Sequence, residues 1–195
     1  MQRCEWCHGD PLYQAYHDQE WGVPCFDSQV LFEFLILEGM QAGLSWITVL
    51  KKRAAIKATL HNFEVQKLAL LSEEELYQAL QNPNIIRSQM KLRSAVHNAK
   101  CVLSLNEQGV TLTSLLWNFV EGEPLQNKWQ TQSEIPAKTA ISIQMAKELK
   151  RLGFQFIGPT ICYALMQAVG MVNDHVRDCF RYHECKMLAS EKPSK

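Results

Sequence analysis

Leu152-Gly153-Phe154-Gln155-Phe156-Ile157-Gly158-Pro159-Thr160 decides how the chain is organised. Gly153 closes one helix, because a residue without Cβ takes the left-handed conformation that ends a helix at no steric cost. Gly158 and Pro159 open the next, with proline at the first helical position, where its missing N–H is not needed. The stretch predicts a helix from Thr139 to Leu152, a four-residue corner, and a second helix from Pro159 to Val169. Two readings stay open. Backbone N–H groups at a helix N-terminus receive a phosphate, and Lys147, Lys150 and Arg151 lie just before the corner. Alternatively the glycines only let two helices pack closely.

Outward from the corner, nearly every signal is helical. Asp27 or Ser28 caps a helix reaching about Gln41, and Gly43 ends it. Ser45 caps another, from Trp46 to about Leu60. Ser72-Glu73-Glu74-Glu75 is a capping box opening Leu76 to Leu80. Residues 87–104 form an amphipathic helix with Met90, Leu92, Ala95, Val96, Ala99 and Val102 apolar. Leu112 to Val120 is a short apolar helix. Gly122, Pro124 and Pro136 make 121–138 a long loop. No strand signal or internal repeat stands out, so the expectation is an all-α chain. It has one compact domain of two helical lobes over 1–185 and a disordered tail over 186–195.

Composition narrows the function classes. The 195 residues, 47% of them hydrophobic, suit one globular domain. Apolar runs such as Phe34-Leu35-Ile36-Leu37 are far short of the roughly 18 residues a membrane span needs. Residues 1–22 carry charges and aromatics without an apolar core, which predicts no secretory leader and a cytoplasmic protein. Twenty basic and twenty acidic residues leave no net charge, so nucleic acid is not gripped by bulk charge. Seven cysteines, unevenly spaced, read as thiols or metal ligands rather than a disulfide framework.

Cys4 and His17 near the start, with His175 and Cys179 near the finish, supply two sulfurs and two nitrogens. That is a common tetrahedral set for structural zinc. His175 and Cys179 are spaced i, i+4, one turn apart on a helix. Such a site would clip the chain ends together and leave no position open for water. Cys7 competes for the first thiolate through Cys4-Glu-Trp-Cys7, and His183 and Cys185 compete near the tail.

Glu38 sits three residues after Leu35, four after Phe34 and seven after Leu31. It therefore lies on the apolar stripe of its helix, and a buried glutamate must be paired, protonated or used. Trp46 opens the following helix, and Trp6, Tyr13, Tyr16 and Trp21 crowd the N-terminal segment. Flat aromatic faces around a carboxylate suit a flat, electron-poor ring, or form core.

At these residues the chain resembles the bacterial 3-methyladenine DNA glycosylase I family, within the helix-hairpin-helix superfamily. The resemblance runs over about residues 3–182. It rests on Arg3-Cys4, Trp6, Asp10-Pro11-Leu12-Tyr13, Tyr16-His17-Asp18, Glu20-Trp21-Gly22-Val23-Pro24, Leu37-Glu38-Gly39 and Gln41-Ala42-Gly43-Leu44-Ser45-Trp46. Later matches are Ile85-Ile86-Arg87, Trp117, Gly153-Phe154 through Gly158, and Val172-Asn173-Asp174-His175 with Cys179.

The resemblance implies a helix-hairpin-helix glycosylase fold, with one structural zinc on Cys4, His17, His175 and Cys179 joining the N- and C-terminal segments. It implies that Glu38 is the base-recognition and catalytic carboxylate, with Tyr16, Trp46, Tyr13, Trp6 and Trp21 binding the base. Gly153, Gly158 and Thr160 would meet double-stranded DNA, and Leu44 would wedge into the duplex. The activity implied is that of a monomeric, monofunctional enzyme that flips 3-methyladenine out of alkylated DNA and hydrolyses its glycosidic bond. Asp174 directly precedes His175 and reads as helix-end or metal-supporting structure more than as the catalytic group. A non-catalytic DNA-binding module and a zinc hydrolase remain as alternatives.

Overall fold

The computed structural model describes residues 2–190. A short 3-10 turn, Glu5–Cys7, precedes α1 (Pro11–Gln19), capped by the Asp10 carboxylate on Leu12 N–H. Next come α2 (Ser28–Gln41), α3 (Trp46–Thr59), α4 (Val65–Ala69), α5 (Glu73–Gln81), α6 (Gln89–Glu107) and α7 (Leu112–Trp117). A loop with one short strand, β1 (Leu125–Gln126), leads to α8 (Ala140–Arg151) and α9 (Pro159–Ala168). The chain ends through β2 (Val172–Asn173) and α10 (Phe180–Ser190).

The core forms around α2. Every residue from Leu31 to Met40 is buried, because the helix is apolar nearly all round and packs against α3, α6, α7 and α9. Asp27, not Ser28, is its cap, accepting from Gln29 and Val30 N–H. At the far end Lys91 of α6 donates to the carbonyls of Met40 and Ala42, at 2.8 and 2.6 Å. That side-chain cap satisfies helix carbonyls that have no partner of their own.

The glycine-bounded corner lies where the sequence puts it. Gly153 takes φ +93°, and Gly153 and Phe154 N–H return to the carbonyls of Lys150 and Leu149. Phe154 and Ile157 are buried under the corner. Asn98 of α6 pins it, accepting from Gln155 N–H at 2.8 Å and donating to Gln155 O at 3.0 Å. Gly158 is extended, with open space where a Cβ would lie.

Several expectations change. β1 and β2 form a parallel pair, Leu125 with Val172 and Gln126 with Asn173. Two residues are too short to leave a periodic signal. Ser45 makes no cap bond to backbone and pairs instead with the Thr48 hydroxyl. Met90 is 70% exposed; two residues before Leu92, it falls on the opposite face of α6. Residues 186–190 continue α10 rather than opening a tail, and 191–195 lie outside the described residues. His175 and Cys179 do not share a helix. They flank a tight turn that closes with Cys179 N–H on the Val176 carbonyl, just before α10.

Candidate active site and metal centre

The turn still brings His175 and Cys179 together, and α1 delivers His17 to them. The ligand atoms of Cys4, His17, His175 and Cys179 all lie within 4.8 Å of one another, and all four residues are buried. Cys179 Sγ lies 3.4 Å from His17 Nε2 and 3.5 Å from His175 Nδ1, and Cys4 Sγ lies 3.6 Å from His175 Nδ1. Zinc bonds of about 2.0–2.3 Å place tetrahedral neighbours about 3.5 Å apart, so these four donors fit that ion. The opposite ring nitrogens are held. His17 Nδ1 meets Asp18 at 2.8 Å, and His175 Nε2 meets the Trp21 carbonyl at 3.0 Å. Asp18 is fixed in turn by Arg3, which holds its carboxyl below the usual range. Such outer partners fix ring orientation in metal sites.

The two thiols are shifted in opposite directions. Contact with Cys4 first, then with His17 and His175, pushes Cys179 well down toward thiolate, while Cys4 is pushed up by Cys179. Burial lowers His175 toward its neutral form. Cys7 stands outside the cluster, its Sγ directed to the Cys4 carbonyl, and burial raises its thiol to about 11. Gly22 makes the arrangement possible: at φ +80° it carries no Cβ, and one would lie 2.9 Å from His175 Nε2.

Beside this cluster a cavity of about 290 Å³ is lined by Trp6, Tyr13, Tyr16, Trp21, Glu38 and Trp46. The six residues named from the sequence thus share one space. Six more complete it: Gln41, Gln132, Ile135, Pro136, Ala164 and Gln167. Of these, Gln132, Ile135 and Pro136 come from the long loop, where no local signal marks them. The aromatics brace one another, Trp6 edge-on to Tyr13 at 4.9 Å and to Trp21 at 5.0 Å, and Tyr16 5.5 Å from Trp46.

Three polar atoms of this lining are buried without a partner: Glu38 Oε2, Trp6 Nε1 and Trp46 Nε1. Burial raises the Glu38 carboxyl to about 8. Glu33, one and a half turns earlier on the same buried helix, is neutralised by Arg53 at 2.7 Å and Lys57 at 2.9 Å. Glu38 has no such cation among the described residues. An unmet acceptor and two unmet donors cost about 1–3 kcal/mol each unless a ligand meets them.

The cavity opens toward the corner. Glu38, Gln41 and Ala164 also line a neighbouring groove with Ala42, Gly43, Leu44, Thr160 and Ile161. Leu44 is 40% exposed at the tip of its loop. Asp174 supports neither the metal nor a helix end: its four partners are Asn127, Trp129, Tyr163 and Gln167.

A family model described as methyladenine glycosylase matches residues 6–182. The chain is 48% identical over 182 residues to DNA-3-methyladenine glycosylase 1 of Escherichia coli K12, covering 93% of this chain and 97% of that protein. A crystal structure of 3-methyladenine DNA glycosylase I superposes with a TM-score of 0.90 at 48% identity, covering 92% of this chain and 98% of that one. A structure from Staphylococcus aureus, described as the structural basis of 3-methyladenine recognition by its glycosylase I, gives 0.89 at 33% identity, covering 92% and 96%.

Proposed function

The chain belongs to the methyladenine glycosylase family, and we propose that it excises 3-methyladenine from alkylated duplex DNA by hydrolysing the N-glycosidic bond. The observation that carries this reading is the set of unmet polar atoms on Glu38, Trp6 and Trp46 in one aromatic cavity. A base inside a duplex cannot reach such a cavity, so it must be extruded. Methylation at N3 makes adenine cationic in the nucleotide. The base then leaves as neutral 3-methyladenine, taking the C1′–N bonding pair, while water adds to C1′ and gives up one proton to solvent. Little acid catalysis is needed.

What the protein supplies is selection and charge. Aromatic faces attract the cationic ring by about 0.5–2 kcal/mol per good contact. Glu38 accepts from the 6-amino group, and the positive ring draws its carboxyl back to the charged form. No lysine lines the cavity, and Lys91 is engaged with the end of α2. Both support a monofunctional enzyme without a lyase step.

DNA is held by the corner in helix-hairpin-helix fashion. Gly153 shapes it, and Gly158 and Thr160 offer backbone donors at the start of α9. Leu44 enters the duplex where the base leaves. Cys4, His17, His175 and Cys179 hold one zinc, whose work is to tie distant segments together. Four protein donors leave it no exchangeable water, which disfavours a zinc hydrolase. No described helix is long and apolar enough to cross a membrane, and we read the enzyme as a cytoplasmic monomer.

The test is chromatography of bases released from methylated DNA, with heated enzyme-free controls. 3-Methyladenine should appear in strong preference to 7-methylguanine, because a carbonyl at the amino edge leaves Glu38 unpaired. That penalty corresponds to about tenfold to a hundredfold. No released base would identify a DNA-binding module instead, and equal release of both bases would sink the pocket assignment.

A further inference from the structure

Asp174 is fully buried, and its four hydrogen-bond partners are all uncharged. Oδ1 accepts from Asn127 Nδ2 at 2.6 Å and from the Trp129 indole at 2.7 Å. Oδ2 accepts from the Tyr163 hydroxyl and from Gln167 Nε2, both at 2.7 Å. Four donors on two oxygens fill the capacity of an acceptor-only carboxylate. His175, next in sequence, takes its outer bond from Trp21 and not from Asp174. The carboxylate therefore serves something other than the metal.

Its partners lead to the cavity. Gln167 stands on α9 one turn beyond Ala164, and both line the cavity. Asn127 and Trp129 belong to the loop that supplies Gln132, Ile135 and Pro136 to the cavity lining. The backbone of Gln167 is locked, its carbonyl accepting from Gly22 and Gly170 N–H. The side-chain amide is the part left to orient. Its nitrogen is taken by Asp174, and its carbonyl oxygen has no protein donor among the described residues.

We propose that Asp174 is a positioning residue that orients the Gln167 amide, presenting its carbonyl oxygen to the cavity as a second acceptor beside Glu38. The inference rests on the reading of this cavity as the base pocket. The two ends of an amide have the same shape, so only hydrogen bonding decides which way it faces. A carboxylate partner accepts and never donates, so it holds the nitrogen end. The oxygen end then favours a purine with a 6-amino group over one with a 6-carbonyl group.

Substitution by asparagine reverses the arrangement. The Trp129 indole only donates, so an asparagine oxygen must stay at the Oδ1 position. Its NH2 then takes the Oδ2 position, facing Tyr163 and Gln167. The Tyr163 hydroxyl can accept from it, but the Gln167 amide must turn over, sending NH2 into the cavity.

The experiment measures calorimetric affinities of the full-length, zinc-loaded protein for free 3-methyladenine and 3-methylhypoxanthine. The two bases differ at the 6-position, amino against carbonyl with its ring N–H. The parent should prefer 3-methyladenine. Asp174→Asn should narrow that preference about tenfold or more, and Gln167→Met should narrow it similarly. The double variant should match Gln167→Met alone, because Asp174 acts through that amide. Gln167 is only half-buried, so its variant carries the test even where Asp174→Asn fails to fold. A merely structural Asp174 would lower melting temperature and weaken both bases alike, and an unchanged ratio would overturn the inference. So would a Gln167→Met protein with the parental ratio. A parent that binds neither base overturns the pocket reading, and this inference with it.

Discussion

Glu33 and Glu38 stand on one buried helix with opposite fates. Arg53 and Lys57 neutralise the first, while no described residue neutralises the second. The Glu38 carboxyl is raised from 4.5 to about 8, so between those values the folded chain binds a proton that the unfolded chain has lost. Stability from this group is therefore complete below about pH 4.5 and is lost as pH rises through about 8. Each pH unit climbed within that window removes at most about 1.4 kcal/mol. Urea unfolding of the parent should show that decline relative to Glu38→Gln, which has no carboxyl to titrate. The same variant should excise 3-methyladenine about tenfold to a hundredfold more slowly, and Glu38→Ala more slowly still. A Glu38→Gln enzyme that outlasts the parent as pH rises through about 8 yet is less active is what a pocket built around an unpaired carboxyl requires. A variant with parental activity, or with the parental decline in stability, would remove Glu38 from the site.

Among the elements, the corner between α8 and α9 is the one we propose holds DNA. Gly153 is needed for its left-handed backbone, but Gly158 is extended and faces open space. The fold does not demand glycine at 158, and under the proposed function a small residue there would let a phosphate approach closely. Gly158→Asp should leave the melting temperature and free 3-methyladenine binding near parental values. Its affinity for lesion-containing duplex, read by fluorescence anisotropy, should fall about tenfold through lost backbone contact and added negative charge. Parental duplex affinity would make the corner an ordinary helix junction. This corner, α2 and the capping box of α5 were legible because each is written in adjacent residues. The β1–β2 pair and the turn at His175–Cys179 were not, since both exist only through partners elsewhere in the chain.

At the scale of the whole molecule, the four-donor cluster that could hold a metal joins residues 4 and 17 to 175 and 179. Closing so long a loop restricts the unfolded chain, and binding energy at such a site becomes folding energy. Cys179→Ser should lose most bound metal by elemental analysis. It should melt about 6–12 °C lower, as a loss of roughly 3 kcal/mol implies for a chain of this size. None of the four donors lines the cavity, although Trp6 and Trp21 of its wall pack on His17 and His175, so the turnover of folded protein at low temperature should fall less than its stability does. Full metal content with full stability in this variant would mean that the ion sits elsewhere.

The sequence by itself determined the helical class, the corner, the four metal-type donors and the buried carboxylate among aromatics. Each is a local or compositional signal: a cap, a period, a glycine, a ligand type. Only the tertiary structure decided that Cys7 stands aside from the cluster, and that Gln132, Ile135, Pro136, Ala164 and Gln167 share the space with Glu38. It also decided that Glu38 has no cation while Glu33 has two, and that Asp174 serves the cavity wall instead of the metal. These are statements about which side chains meet across tens or hundreds of residues. Burial and pairing are set where distant elements pack together, and no local pattern records which partner arrives.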